Sequence, residues 1–232
     1  MRAKYTHLLF DLDHTLWDFN TNCKNTLYEL YLEHEHELKS IDKELFFTTF
    51  LKINSEIWHL FDQNKISKEE MRIRRFRDLL QNFDINNDIL ANTLEDKYLF
   101  RCPKKGALLP YSLDFLNLVK DAFEICLITN GFHQVQLEKV KHSGLDVYFE
   151  HIFSSESTQS KKPEAKFFNH VLSHYQLDPE KTLIIGDNPY TDIQGAKNMG
   201  IHSLWINSQG YTKNIESTYY SENIQDILHL FT

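Results

Sequence analysis

Asp11 and Asp13 stand one leucine apart in "LLFDLDHTLWDF", directly after an apolar run, and Thr15 follows them. Carboxylates this close repel each other, so a cation or a shared proton must offset the repulsion. Three later stretches carry groups that could join them: "TNG" (Thr129, Asn130, Gly131), "KKP" (Lys161, Lys162) and "GDNPYTD" (Asp187, Asp192). Oxygen donors gathered without a neighbouring His or Cys suit a hard cation, Mg²⁺ first of all, and Asp11 and Asp187 could give it one oxygen each. A magnesium held by few protein ligands keeps room for a phosphate oxygen. A carboxylate can itself attack phosphorus, which suits Asp11 to form an aspartyl-phosphate. Asp13 can then protonate the leaving oxygen and later deprotonate the attacking water. Thr129, the Asn130 backbone N–H and Lys162 would stabilise charge on the phosphoryl oxygens, with Gly131 in the same phosphate-binding set.

These groups need a scaffold that brings them to one rim. The runs "THLLFDLD", "FEICLITN", "HIFSSE", "TLIIGDN" and "HSLWIN" are apolar without alternation, the pattern of strands covered on both faces. Helical patterns separate them, with Gly144 and Gly200 placed where helices would stop. Strand-helix alternation predicts an α/β fold with a Rossmann-like parallel sheet, and ligands in such sheets bind beyond the carboxyl ends of the strands. All the motifs above fall at those ends. The rhythm breaks between the first strand and Pro110. Stripes at Leu27–Leu30–Tyr31 and from Leu45 to Phe61, a capping box at Ser67–Glu70, and a further helix from about Asn87 to Phe100 predict an all-helical insertion. The expected boundaries are 1–17 with 103–232 for the α/β domain and 18–102 for the inserted domain. The end "NIQDILHLF" reads as a last amphipathic helix.

Composition narrows the partners. The 232 residues carry a formal net charge of −8, which argues against a nucleic-acid polymer as ligand. No apolar run reaches the ~20 residues of a membrane span, and the start turns acidic too early for a signal peptide. Cys23, Cys102 and Cys126 are scattered, as in a reduced, cytoplasmic protein. A monomer acting on a small phosphorylated metabolite is the expectation.

"DLDHT", "TNG", "KKP" and "GDNPYTD", in this order, resemble the four motifs of the haloacid dehalogenase superfamily, and the insertion resembles its C1-type helical cap. The resemblance covers the whole chain. It implies Asp11 as nucleophile, Asp13 as acid and base with its backbone carbonyl on the metal, Asp187 as a metal ligand, Asp192 as support for the metal site, and Lys162 as the functional lysine. A narrower resemblance, carried by "ITNGFHQVQLEKVKHSGLDVYFEHIFSSE" and "KKPEAKFF", is to the branch that includes pyrimidine 5′-nucleotidases. It implies a magnesium-dependent nucleoside 5′-monophosphate phosphatase. One departure is Gln159, where that branch carries a glycine.

Each motif alone has a plainer reading: "TNG" as a turn, "KKP" as a loop before a helix, "GDNPYTD" as a helix cap. Their joint order favours the site. A phosphoglycolate or sugar phosphatase and a phosphomutase share the catalytic set and are the rival enzymes. A dehalogenase would need neither Asp13 nor Asp187, a receiver-type signalling domain carries its lysine after the acids, and a silent phosphate-binding module would have lost one of them. His14 reads as a spacer, "HEHE" (His34 to Glu37) as a solvated face, and Arg72, Arg74, Arg75 and Arg77 as mostly solvent-facing.

Overall fold

Six strands form in the computed structural model, which describes residues 1–232: β1 (His7–Phe10), β2 (Glu124–Thr129), β3 (Ile152–Ser154), β4 (Thr182–Gly186), β5 (His202–Ile206) and β6 (Tyr219–Ser221). All pair in parallel, in the order β3-β2-β1-β4-β5-β6. The order reverses between β1 and β4, whose register sets Phe10 opposite Ile185. A sheet wound this way opens a crevice at that reversal, beyond the strand ends.

The strands are apolar on both faces because both are covered. On one face Leu9, Ile128 and Ile184 pack with Phe167, Phe168 and Val171 of α8 (Ala165–Tyr175) and Ala196 of α9 (Gln194–Asn198). On the other, Phe10 meets Phe115 of α6 (Ser112–Val119), with ring centroids 5.5 Å apart. α7 (His133–His142) follows β2 and ends before Gly144, which takes φ +71 as a helix stop requires. Two local expectations differ. The chain end is a short 3₁₀ segment, Gln225–Leu230, anchored by buried Ile227 and by Phe231 against Phe115 at 4.9 Å. β6 escaped the sequence reading because it is three residues long, edge-paired and polar-aromatic rather than apolar.

The chain divides into two compact units, Met1–Phe19 with Gly106–Thr232, and Asn20–Lys105. The second holds most of α1 (Phe19–Glu33) with α2 (Glu35–Leu38), α3 (Lys43–Asp62), α4 (Lys68–Gln81) and α5 (Asp88–Arg101), and contains no strand. Side chains start its longer helices. Asp42 accepts from Leu45 N at 2.9 Å, Asn87 from Leu90 N at 3.0 Å, and Ser67 and Glu70 complete the capping box. Its core is aromatic, with Phe50, Phe76 and Tyr98 in mutual ring contact. No helix of the chain is long and apolar enough to cross a membrane.

Arg75 departs from the solvent-facing expectation. Its guanidinium is buried, grips both oxygens of buried Glu95 at 2.7 and 3.1 Å, and lies over the Tyr98 ring. Removing one member of such a pair strands the other charge away from water. Glu95→Ala is expected to cost about 3–5 kcal/mol. Urea denaturation of the full chain checks this, and a loss below about 1 kcal/mol would mean the pair behaves as a surface contact.

Candidate active site

β1 and β4 deliver their following residues to the reversal point of the sheet. Asp11 comes directly after β1, its N–H donating to the Ile185 carbonyl at 2.8 Å, and Asp187 comes directly after β4. From the loop before α8, Lys162 enters with its side chain 1% exposed. Its Nζ donates to Asp11 Oδ1 at 2.6 Å, Asp192 Oδ1 at 2.6 Å and the Ile128 carbonyl at 2.9 Å. An ammonium has three protons, and all three are engaged on protein acceptors. The lysine thereby fixes Asp11 and Asp192 against the end of β2.

Asp192 is completely buried. Its Oδ2 accepts from Asn188 N at 3.1 Å, so both oxygens are engaged. A tight turn, Pro189–Ile193, carries it, and Asn188 caps that turn through Tyr190 N and Thr191 N. Asp187 receives the Thr15 hydroxyl on Oδ1 at 3.4 Å, and its backbone carbonyl accepts from the Trp205 indole at 2.8 Å. Asp11, Asp187 and Asp192 offer oxygens that all lie within 4.8 Å of one another. Burial raises the Asp11 pKa to about 7, Asp192 adding to the rise while Lys162 opposes it. Burial and the charges of Asp11 and Asp192 push Asp187 well above the usual carboxylate range. Lys162 balances one of these acids, and a divalent cation fits the excess that remains.

Asp13 lies apart from that cluster. Lys139 holds it through both oxygens, at 2.7 and 2.8 Å, and the Gln136 amide donates to Oδ2 at 3.0 Å. Burial alone would raise its pKa, but the Lys139 charge and these bonds hold it below the ordinary value. The expected metal set takes only the backbone carbonyl of Asp13, and the Asp13 side chain is turned to Lys139.

Thr129 ends β2. Its hydroxyl oxygen accepts from Gln136 at 2.8 Å and from Gly131 N at 3.1 Å. With both lone pairs taken, it has only its own proton to offer. The Asn130 side chain braces the lysine loop, with Oδ1 accepting from Lys162 N at 2.7 Å and Nδ2 donating to the Lys162 carbonyl at 2.9 Å. The sequence reading gave Asn130 only a backbone role. It missed Gln136 and Lys139 altogether, whose one signal was an i, i+3 spacing on the helix after "TNG".

Two other positions resolve locally. His14 takes φ +63, its carbonyl accepts from Ser208, its ring lies against Phe19, and burial lowers its pKa to about 4. Gln159, the departure from the resembling branch's pattern, takes the left-handed φ of +50.

Residues 5–200 match the haloacid dehalogenase-like hydrolase family. The chain belongs to that family. As a hydrolase of this kind it is 32% identical over 228 residues to pyrimidine 5′-nucleotidase PynA of Streptococcus pneumoniae, covering 97% of this chain and 94% of PynA. It is 30% identical to the HAD-hydrolase YfnB of Bacillus subtilis, covering 98% of this chain and 95% of YfnB. The crystal structure of YfnB bound to magnesium superposes with a TM-score of 0.85 at 28% identity, covering 98% of this chain and 99% of that one. The hydrolase is an enzyme of the phosphatase type within the family.

Gly186 shows how tightly the acids are set. A Cβ there would stand 2.3 Å from Asp192 Oδ2. Gly186→Ala must displace Asp192 from Lys162, with an expected loss of about 1–3 kcal/mol in thermal or urea unfolding. An unchanged midpoint would mean that Asp192 moves aside freely.

Proposed function

We propose that the enzyme hydrolyses nucleoside 5′-monophosphates, pyrimidine nucleotides foremost, through an aspartyl-phosphate on Asp11. The observation that carries this reading is the division of labour between the two acids of "DLD": Asp11 is anchored by Lys162 within the acidic cluster, while Asp13 is held outside it by Lys139. Lys162 occupies Asp11 Oδ1, which leaves Oδ2 for attack on phosphorus. As that P–O bond forms, the ester P–O bond breaks, and Asp13 gives its proton to the leaving oxygen. A water then passes its proton to Asp13 and attacks the same phosphorus, releasing inorganic phosphate and restoring the Asp11 carboxylate. Lys139 favours the ionised Asp13 that the water step needs. The negative charge of a bound phosphate ester raises the proton affinity required for the first step. The Thr129 hydroxyl, an obligate donor, and the Asn130 backbone N–H are assigned to the phosphoryl oxygens.

Magnesium would be held by Asp11, Asp187 and the Asp13 backbone carbonyl, with Asp192 in support, and would supply charge neutralisation between acids and phosphate. The nucleotide preference rests on PynA and on YjjG of Escherichia coli, also a pyrimidine 5′-nucleotidase, 24% identical over 206 residues. The helical unit 20–105 is assigned to substrate selection. Cys23, Cys102 and Cys126 are buried and form no disulfide, which accords with work in the cytoplasm.

Phosphate release from a panel of nucleoside monophosphates, sugar phosphates and phosphoglycolate, with Mg²⁺ or with EDTA, tests the reading. Release is expected to require the metal, to favour UMP, dUMP or TMP, and to fall at least ~10³-fold in Asp11→Asn. Preference for a sugar phosphate would keep the mechanism and overturn the substrate. Wild-type rates in Asp11→Asn would overturn the mechanism.

A pH prediction follows from Asp11. Its folded pKa, about 7, lies above the 3.8 of an ordinary aspartate, chiefly through burial. The folded state therefore binds more protons, and metal-free stability falls as pH rises across that window and stays low above it. Added Mg²⁺ should raise the melting temperature more at about pH 8 than at about pH 5. An equal or opposite shift would mean the cation does not bind among these acids.

A further inference from the structure

Lys139 and Gln136 belong to none of the four motifs, yet Lys139 grips the acid of the first and Gln136 bridges the first to the second. Both are buried: Gln136 is 1% and Lys139 7% exposed. They sit one turn apart on α7 and face the same way. Lys139 spans both oxygens of Asp13, and its Nζ lies 4.5 Å from the ring centroid of fully buried Trp17. Gln136 donates from one nitrogen to Asp13 Oδ2 and to Thr129 Oγ1. The close approach is built into the backbone, because a Cβ on Gly131 would fall 1.9 Å from that nitrogen. Gly131 is thus explained by the passage of Gln136, whereas the sequence reading gave it to phosphate binding. Gln136 Oε1 is buried with no partner, so the amide is oriented by its donors alone.

We infer that Gln136 and Lys139 are positioning residues which fix the Asp13 carboxylate and the Thr129 hydroxyl in one rigid frame, so that proton transfer and phosphoryl contact keep a constant separation. They act through Asp13 and Thr129 and touch no reacting atom themselves. The inference rests on the phosphatase reading, in which Asp13 protonates the leaving oxygen. If Lys139 works through that step, its loss must depend on how much the leaving group needs a proton.

The test compares p-nitrophenyl phosphate, whose leaving group departs without a proton, with a nucleoside monophosphate, whose alkoxide requires one. Lys139→Met keeps the apolar stem against Trp17 and removes the charge. It should lower kcat on the nucleotide ~10²-fold or more, and on p-nitrophenyl phosphate less than about tenfold. Lys139→Arg should recover part of the nucleotide rate. Asp13→Asn should show the same bias, and adding Lys139→Met to it should cost little more. Equal losses on both esters by folded protein, additive losses, or wild-type rates in Lys139→Met would overturn the inference. Urea unfolding of the same single and double variants gives a readout without catalysis. Non-additive midpoint shifts are expected for Asp13 and Lys139, and additive shifts would show that the pair is not formed. If wild-type enzyme cleaves neither ester, the phosphatase reading fails, and the unfolding cycle still decides whether Lys139 holds Asp13.

Discussion

A single buried ammonium organises the α/β unit. Lys162 has no water to turn to, so each of its protons needs a protein acceptor, and Asp11, Asp192 and the end of β2 supply them. The acids raise the lysine's pKa despite its burial, and the lysine in turn offsets part of the burial that pushes Asp11 upward. The surrounding backbone conforms to this arrangement. Gly186 is bare because Asp192 passes over it, Asn130 clasps the lysine from both sides of its peptide, and Asn188 caps the turn that carries Asp192.

The topology explains why acids separated by so much sequence meet there. β1 and β4 are neighbours at the point where the strand order reverses, and the crevice beyond their ends receives Asp11 and Asp187 without any special loop. Asp13, two residues farther on, has already left β1 and answers to α7 instead. One short tripeptide thus serves two electrostatic environments, one crowded with carboxylates and one governed by a lysine. Distinct environments for neighbouring acids allow them different protonation behaviour.

Much of this was legible in the sequence, for physical reasons. Doubly covered strands must be apolar throughout, so "LLF" and "TLIIG" announced themselves, and helix caps such as Ser67 and Asn87 announced the insertion. The motif acids were visible because carboxylates at the ends of apolar runs are conspicuous. What stayed hidden depended on long-range partners. Arg75 reads like its solvated neighbours until Glu95 is brought against it by the packing of α4 on α5. Gln136 and Lys139 look like an ordinary polar helix face, since nothing local reveals that Asp13 and Thr129 lie across from it. β6 carries too little apolar surface to stand out.

The span of the lysine's contacts has a consequence for how the protein is made. Asp11 and Lys162 are 151 residues apart in the chain, and Asp192 lies 30 residues beyond the lysine. Contacts of such separation carry a higher loop-closure cost than the comparatively local packing within 20–105. During synthesis Asp11 emerges near the start, its counter-charge Lys162 follows 151 residues later, and Asp187 and Asp192 arrive only with β4 and the turn after it. A cation site built from Asp11, Asp187 and Asp192 would therefore be incomplete in any nascent chain that stops short of Asp192. A divalent cation bound among these acids would stabilise only the assembled junction of β1 and β4, so its occupancy would report that these distant segments have met.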